Sequence, residues 1–126
     1  MDDQVIKKPT RTYAFDFDGV ITQYQGFKGE DHFCEPNLET IKAIRLLKEQ
    51  GNTIIIYSTR SEENLAAYCK QHDIPVDYIN HNPEVSGSNP GKPVASVYID
   101  DHAVCYHGQT AEELVAEIIN FKTYWQ

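Results

Sequence analysis

Four short apolar runs, rich in β-branched and aromatic residues, alternate along this chain with stretches whose apolar residues recur every three or four positions. The runs cover residues 13–17, 53–58, 76–79 and 94–99 and predict strands. The second, Thr53-Ile54-Ile55-Ile56-Tyr57-Ser58, shows no polar alternation across its apolar centre, as in a strand covered on both faces. The periodic stretches predict helices. One covers 38–50, started by Pro36-Asn37, with Leu38, Ile41, Ile44 and Leu47 at helical spacing and Gly51 at its end. A second covers 62–72, with Ser61 as N-cap and two glutamates in its first turn. The last opens on Thr110-Ala111-Glu112-Glu113, a capping box, and its pattern predicts burial of Leu114, Val115, Ile118 and Ile119.

Strand–helix–strand alternation implies a mainly parallel sheet with helices on both faces, a Rossmann-like three-layer α/β/α sandwich. Two segments read as loops. Residues 22–35, with Gly26, Gly29, mixed charge and aromatics, form a flap or hairpin insertion. Residues 80–91 are dense in turn formers. Neither can hold a folded domain, so residues 1–126 are expected to be a single domain without a cap.

Composition narrows the function classes. No apolar stretch approaches the roughly 18–20 residues of a membrane helix. The opening Met1-Asp2-Asp3-Gln4 is acidic and lacks the apolar region of a signal peptide. Cys34, Cys69 and Cys105 are scattered without C-x-x-C spacing, which disfavours a disulfide framework or a zinc site and fits a reducing cytoplasm. The formal net charge of −8 argues against extended nucleic acid as a partner. It leaves room for a phosphorylated substrate, because a bound divalent cation can reverse the local field.

The candidate chemistry collects at the carboxyl ends of the strands, where ligands bind in open parallel sheets. The first strand delivers Asp16 and Asp18, the second Ser58-Thr59-Arg60, and the fourth Asp100-Asp101. Lys92 stands just before the fourth strand. Asp16 and Asp18 are two residues apart, so strand alternation can turn both carboxylates toward one spot beyond the strand end, although the chain is expected to start turning at Asp18. Two such anions repel unless a cation lies between them or one keeps a proton.

Asp16-Phe17-Asp18-Gly19-Val20 after an apolar strand, Ile55-Ile56-Tyr57-Ser58-Thr59, and Tyr98-Ile99-Asp100-Asp101 together resemble the motifs of the haloacid dehalogenase-like superfamily of phosphohydrolases. The resemblance spans residues 13–121, and Asp18 sorts the chain with the phosphatase branch. It implies a Mg2+-dependent phosphomonoester hydrolase, with Asp16 as nucleophile forming an aspartyl-phosphate and Asp18 as general acid and then base. Asp16, Asp100, Asp101 and Asp18, the last through its carbonyl, would hold Mg2+, for which oxygen ligands are suited. Ser58 and Lys92 would hold the phosphoryl group. Arg60 could add a forked contact or be a surface residue, and Thr59 is the more structural of the hydroxyl pair. A capless site suits a bulky substrate, or a small one if a homo-oligomer covers it. The leading substrate class is a small phosphorylated metabolite or nucleotide.

Blander readings stand beside these. His102 fits a supporting or exposed position, because Asp18 already supplies an acid. Asn80 and Asn82 are common turn residues. Tyr13, Tyr57, Tyr78 and Tyr98 are simplest as core or interface residues. Three rival functions follow: a polynucleotide-end phosphatase, a receiver domain, and a silent binding protein of the same fold. Receivers keep their adjacent acidic pair after the first strand. Here it follows the fourth.

Overall fold

The computed structural model describes residues 10–24, 26, 28–29, 32–86 and 92–126. The expectation drawn from residues 1–4, and parts of both predicted loops, lie outside them. The chain adopts a small α/β Rossmann-like fold around a four-stranded sheet in which every pairing is parallel. The strands are β1 (Thr12–Asp16), β2 (Thr53–Tyr57), β3 (Tyr78–Ile79) and β4 (Val97–Ile99), in the order β3-β2-β1-β4. The helices are α1 (Leu38–Glu49), α2 (Glu62–Gln71) and α3 (Ala111–Ile119). No cap domain is present among the described residues, and no helix there is long and apolar enough to cross a membrane.

Sequence chemistry sets the element ends. Asn37 caps α1, its Oδ1 accepting from the Thr40 amide, and Gly51 leaves the helix at a φ of 89°. Ser61 caps α2, and Thr110 and Glu113 form the reciprocal capping box of α3. β3 is shorter than predicted because Asp77 pairs differently. Its carboxylate takes the Ile54 amide at 2.8 Å, so a side chain occupies a ladder position. β4 is shorter because the Val94 carbonyl accepts from the buried Asn82 side chain.

Ile54, Ile55 and Ile56 are all fully buried, as the unbroken apolar run predicts. Phe15, Ile54 and Ile56 form one core with Ile41 and Ile44 of α1 and Leu65, Tyr68 and Cys69 of α2. Both helices therefore cover the same face. This follows from topology, since β1, β2 and β3 step in one direction and successive crossovers keep one hand. Among the described residues, no helix buries side chains against the opposite face, which carries Ala14 and Ile55. Pro93, ahead of β4, is fully buried, and Tyr98 donates to its carbonyl at 2.7 Å.

The expected burial of α3 is not observed. No residue of α3 is buried; Val115, Ile118 and Ile119 are exposed, Ile119 at 74%. Its amphipathic pattern is real, but the capping box and acidic first turn form the helix locally without a packed partner. Chemical denaturation should separate the two kinds of helix. Ile44→Ala is expected to cost about 2–5 kcal/mol and Ile119→Ala less than about 0.5 kcal/mol. Comparable losses would mean that α3 is packed.

Candidate active site

The chain passes from β1 to β2 on one side and places β4 on the other, so the sheet's switch point is the crevice between β1 and β4. Ligands bind beyond the strand ends at such a point. Asp16 ends β1, and Asp100 and Asp101 follow β4, so the two acidic motifs flank this crevice.

Phe17–Ile21 leaves β1 as a tight turn, closed by a bond from the Thr22 amide to the Phe17 carbonyl at 3.2 Å. Gly19 adopts a φ of 88°, and a Cβ there would lie 2.1 Å from Asp101 Oδ2. Only glycine fits both the backbone and the space. Beyond the turn, the Gln23 amide donates to the Glu35 carbonyl at 2.8 Å and Thr22 bridges Pro36 in antiparallel fashion. The predicted flap is thus hairpin-like at its base.

The two aspartates of the first motif part company. Asp16 Oδ1 accepts from the Phe17 amide at 2.8 Å, and its carboxyl shares a hydrogen bond with Asp101. Asp18 instead faces Arg60, whose Nε lies 2.9 Å from one carboxylate oxygen and 3.2 Å from the other. Arg60 is almost wholly buried and also lies 4.6 Å from the centroid of the Phe33 ring. The expected convergence of the two carboxylates fails because the chain turns at Asp18, where strand alternation ends.

The second acidic pair is held from several sides. Asp100 accepts from the Tyr57 hydroxyl at 2.7 Å and from the His102 amide at 2.7 Å. Asp101, with a side chain 1% exposed, accepts from the Trp125 indole at 2.6 Å. His102 Nδ1 lies 3.3 Å from Asp101, and its ring is exposed against Phe121 and Trp125. Tyr124 donates its hydroxyl to the Gly19 carbonyl, fastening the C-terminal segment to the turn.

Burial first, then the bond to Asp101 and the charge of Asp100, push the Asp16 carboxyl up to about 8. For Asp101 burial acts in the same direction, but bonds from Trp125 and Asp16 outweigh it and hold the group below its ordinary value. The proton therefore rests on Asp16 when no cation is present. Burial and the bond to Asp100 push the Tyr57 hydroxyl upward, so it stays a donor.

The remaining predicted residues divide. Ser58 sits at the end of β2, its amide on Asn80 Oδ1 at 2.8 Å and its Oγ accepting from the Arg60 amide at 3.1 Å. Thr59 is exposed. Lys92 lies over the Tyr98 ring at 4.2 Å and 6.0 Å from the Tyr57 ring, and Tyr57 in turn donates to Asp100. Asn80, in a left-handed conformation, holds Ser58, and Asn82 closes its own turn on the Glu84 amide. Sequence reading missed Tyr57 as a site residue, although β register pairs it with Asp16. It also missed Tyr24, Tyr124 and Trp125, which only the fold brings to the crevice.

The ligand atoms of Asp100, Asp101 and His102 lie within 4.8 Å of one another; Asp16, at the end of the neighbouring strand, is outside that group. The three carboxylates are a hard oxygen set suited to Mg2+, whereas the histidine nitrogen is not a preferred ligand for it.

No protein-family model and no curated protein matches this chain. A solved structure of a conserved protein coded by a locus from Bacteroides thetaiotaomicron is 24% identical to it. The two superpose with a TM-score of 0.62 over 88% of this chain and 90% of the other. That likeness speaks for the fold alone.

The raised Asp16 has a consequence for the metal-free protein. The folded state keeps a proton that the unfolded chain releases above its ordinary 3.8, so stability falls as pH rises toward about 8. Melting curves in chelator should show the wild type losing about 2 kcal/mol more than Asp16→Asn between pH 4 and 8, after allowing for solvent screening. Parallel curves would remove the buried proton from the account.

Proposed function

We propose that this protein is a Mg2+-dependent phosphomonoester hydrolase of the haloacid dehalogenase-like type, working through an aspartyl-phosphate on Asp16. The observation that carries the reading is the placement of Asp16, at the end of β1, beside Asp100 and Asp101, which follow β4, at the switch point of the sheet. Half-buried carboxylates from two strands, one retaining a proton, make a site whose charge a cation would balance. Asp16, Asp100 and Asp101 are the side chains that would hold Mg2+, with the Asp18 carbonyl. When bound, the ion would supply the positive charge that ionises Asp16 and offsets the phosphate.

Ionised Asp16 attacks phosphorus, and an oxygen–phosphorus bond forms as the bond to the leaving oxygen breaks. Asp18 gives that oxygen a proton. In the second step Asp18 takes a proton from water, whose oxygen attacks phosphorus, and the Asp16–phosphorus bond breaks to release phosphate. Arg60 links the steps. A phosphoryl group arriving beside Ser58 can share the guanidinium that now faces Asp18, so that Asp18 is released to carry a proton. Lys92 stands one tyrosine away from the carboxylates and fits the rim of the phosphate site. The substrate class remains a small phosphorylated metabolite or nucleotide, in the reducing cytoplasm that the three free cysteines fit.

Phosphate release from a panel of phosphomonoesters is the direct test. Turnover should require Mg2+ and fall about a thousandfold or more in Asp16→Asn and Asp18→Asn. Arg60→Ala should lower kcat and raise KM, each by roughly tenfold. Full activity in Asp16→Asn would exclude the aspartyl-phosphate route, and a stable phosphoprotein without turnover would indicate a receiver.

Metal binding supplies a separate check. The ion must displace the Asp16 proton below about pH 8, so Mg2+ affinity should rise with pH and level off near that value. Calorimetry in buffers of different ionisation enthalpy should record up to one proton released per ion. Affinity that ignores pH would contradict the assignment of Asp16 as a ligand.

A further inference from the structure

We propose that the hollow beside Asp101 is a nucleobase site, taking the base of a free nucleotide whose phosphate lies at Asp16. The phosphate half of this statement rests on the phosphohydrolase reading; the base half does not. The hollow, of about 350 Å3, is lined by Gln23, Tyr24, Asn37, Tyr124 and Trp125. That volume is near the lower end of the roughly 300–1,000 Å3 of small-molecule sites and suits one planar ring system. None of the lining residues is charged, although the neighbouring crevice is acidic.

Trp125 belongs to both places, since its indole nitrogen holds Asp101 while its ring helps wall the hollow. Tyr24 meets Trp125 edge to face at 5.2 Å. Aromatic walls recognise a planar ring by stacking. The two carboxamides add an edge to that recognition, and their orientation is fixed by backbone bonds. Gln23 Nε2 donates to the Pro36 carbonyl at 3.0 Å, leaving Oε1 as an acceptor. Asn37 Oδ1 accepts from the Thr40 amide at 3.4 Å, leaving Nδ2 as a donor. One donor and one acceptor beside aromatic walls complement a heterocycle that carries adjacent acceptor and donor groups on its rim, as nucleobases do.

The hollow also lies on the side where a leaving group belongs. Tyr24 follows the turn that the Thr22 amide closes on the Phe17 carbonyl, and it packs on Trp125, whose indole holds Asp101, so the hollow adjoins the turn that carries Asp18 as well as the second acidic pair. The rest of the leaving group then extends toward Tyr24. A free nucleotide is favoured over a chain end because the net charge of −8 opposes a wide polyanion.

Trp125 is the single tryptophan, so its fluorescence reports on the hollow directly. Uridine, cytidine, adenosine and guanosine, free of phosphate and without Mg2+, are titrated into the wild type and Asp16→Asn. At least one should quench Trp125 saturably in both proteins, and ribose should not. Methylating the pairing edge of that base should weaken binding roughly tenfold, as should Tyr24→Ala. Asn37→Asp, which keeps an N-cap side chain but removes the donor, should do the same. The methylated ligand tests the unmodified protein, so a poorly folded variant does not decide the outcome.

The proposal is overturned if no nucleoside binds at millimolar concentration, if methylation has no effect, or if only a phosphorylated tetranucleotide binds. Nucleoside binding to a protein without phosphatase activity would keep the base site and end the phosphohydrolase reading. Hydrolysis confined to sugar phosphates, without nucleoside binding, would do the reverse.

Discussion

Carboxylates drawn out of water at the end of a parallel sheet need compensation, and the ends of this fold are arranged around that need. Asp16, Asp100 and Asp101 meet where β1 and β4 diverge, and burial alone makes three full charges there costly. Each group has an answer. Asp16 keeps a proton, Asp100 receives the Tyr57 hydroxyl, and Asp101 receives the Trp125 indole. The Gly19 turn leaves the space that Asp101 occupies, since no side chain fits there. Through Trp125 and Tyr124 the C-terminal segment is tied to the same point, so an acidic crevice also organises the chain end.

The two halves of the first acidic motif then differ in kind. Asp16 is neutralised from inside by a proton shared with another carboxylate, which under the proposed function a divalent cation would replace. Asp18 is neutralised from outside by the Arg60 guanidinium, an arrangement that another anion can enter. A strand places the first and a turn the second, and that difference of local structure separates their chemistry. Under the proposed mechanism the same difference divides nucleophile from acid.

Strand and helix positions were legible because apolar periodicity and capping residues act locally. Asn37, Gly51, Ser61 and Thr110 all mark the ends they predicted, and the triple isoleucine of β2 is buried as its pattern requires. The acidic pairs were legible for a similar reason, because strand ends are read from the same pattern and topology places them together. The rest depended on distance along the chain. Tyr124 reaches a glycine 105 residues earlier, which no spacing rule anticipates. Burial of α3 was misread because amphipathicity shows which face a helix can bury, not whether a surface is available for it. A turn at Asp18 was legible from the glycine that follows it, but its Arg60 partner was not, since that pairing joins residues 42 positions apart.

The absence of a cap among the described residues raises the question of what surrounds a substrate here, and the fold offers two contributors. The base of the flap comes from β1, brought back by Gln23 pairing with Glu35, and it sets Tyr24 beside the crevice. The segment after α3 crosses from the other direction and sets Trp125 against Tyr24. Each is anchored to the acidic end of the sheet by its own hydrogen bonds, Thr22 to Phe17 on one side and Trp125 to Asp101 on the other. Under the proposed function, side chains fixed in this way would give selectivity without an inserted domain, because their geometry is tied to the carboxylates assigned the chemistry. The cost is coupling. A change that moves Asp101 also moves the wall of the hollow through Trp125, so under the proposed function substrate preference and metal affinity would not vary independently.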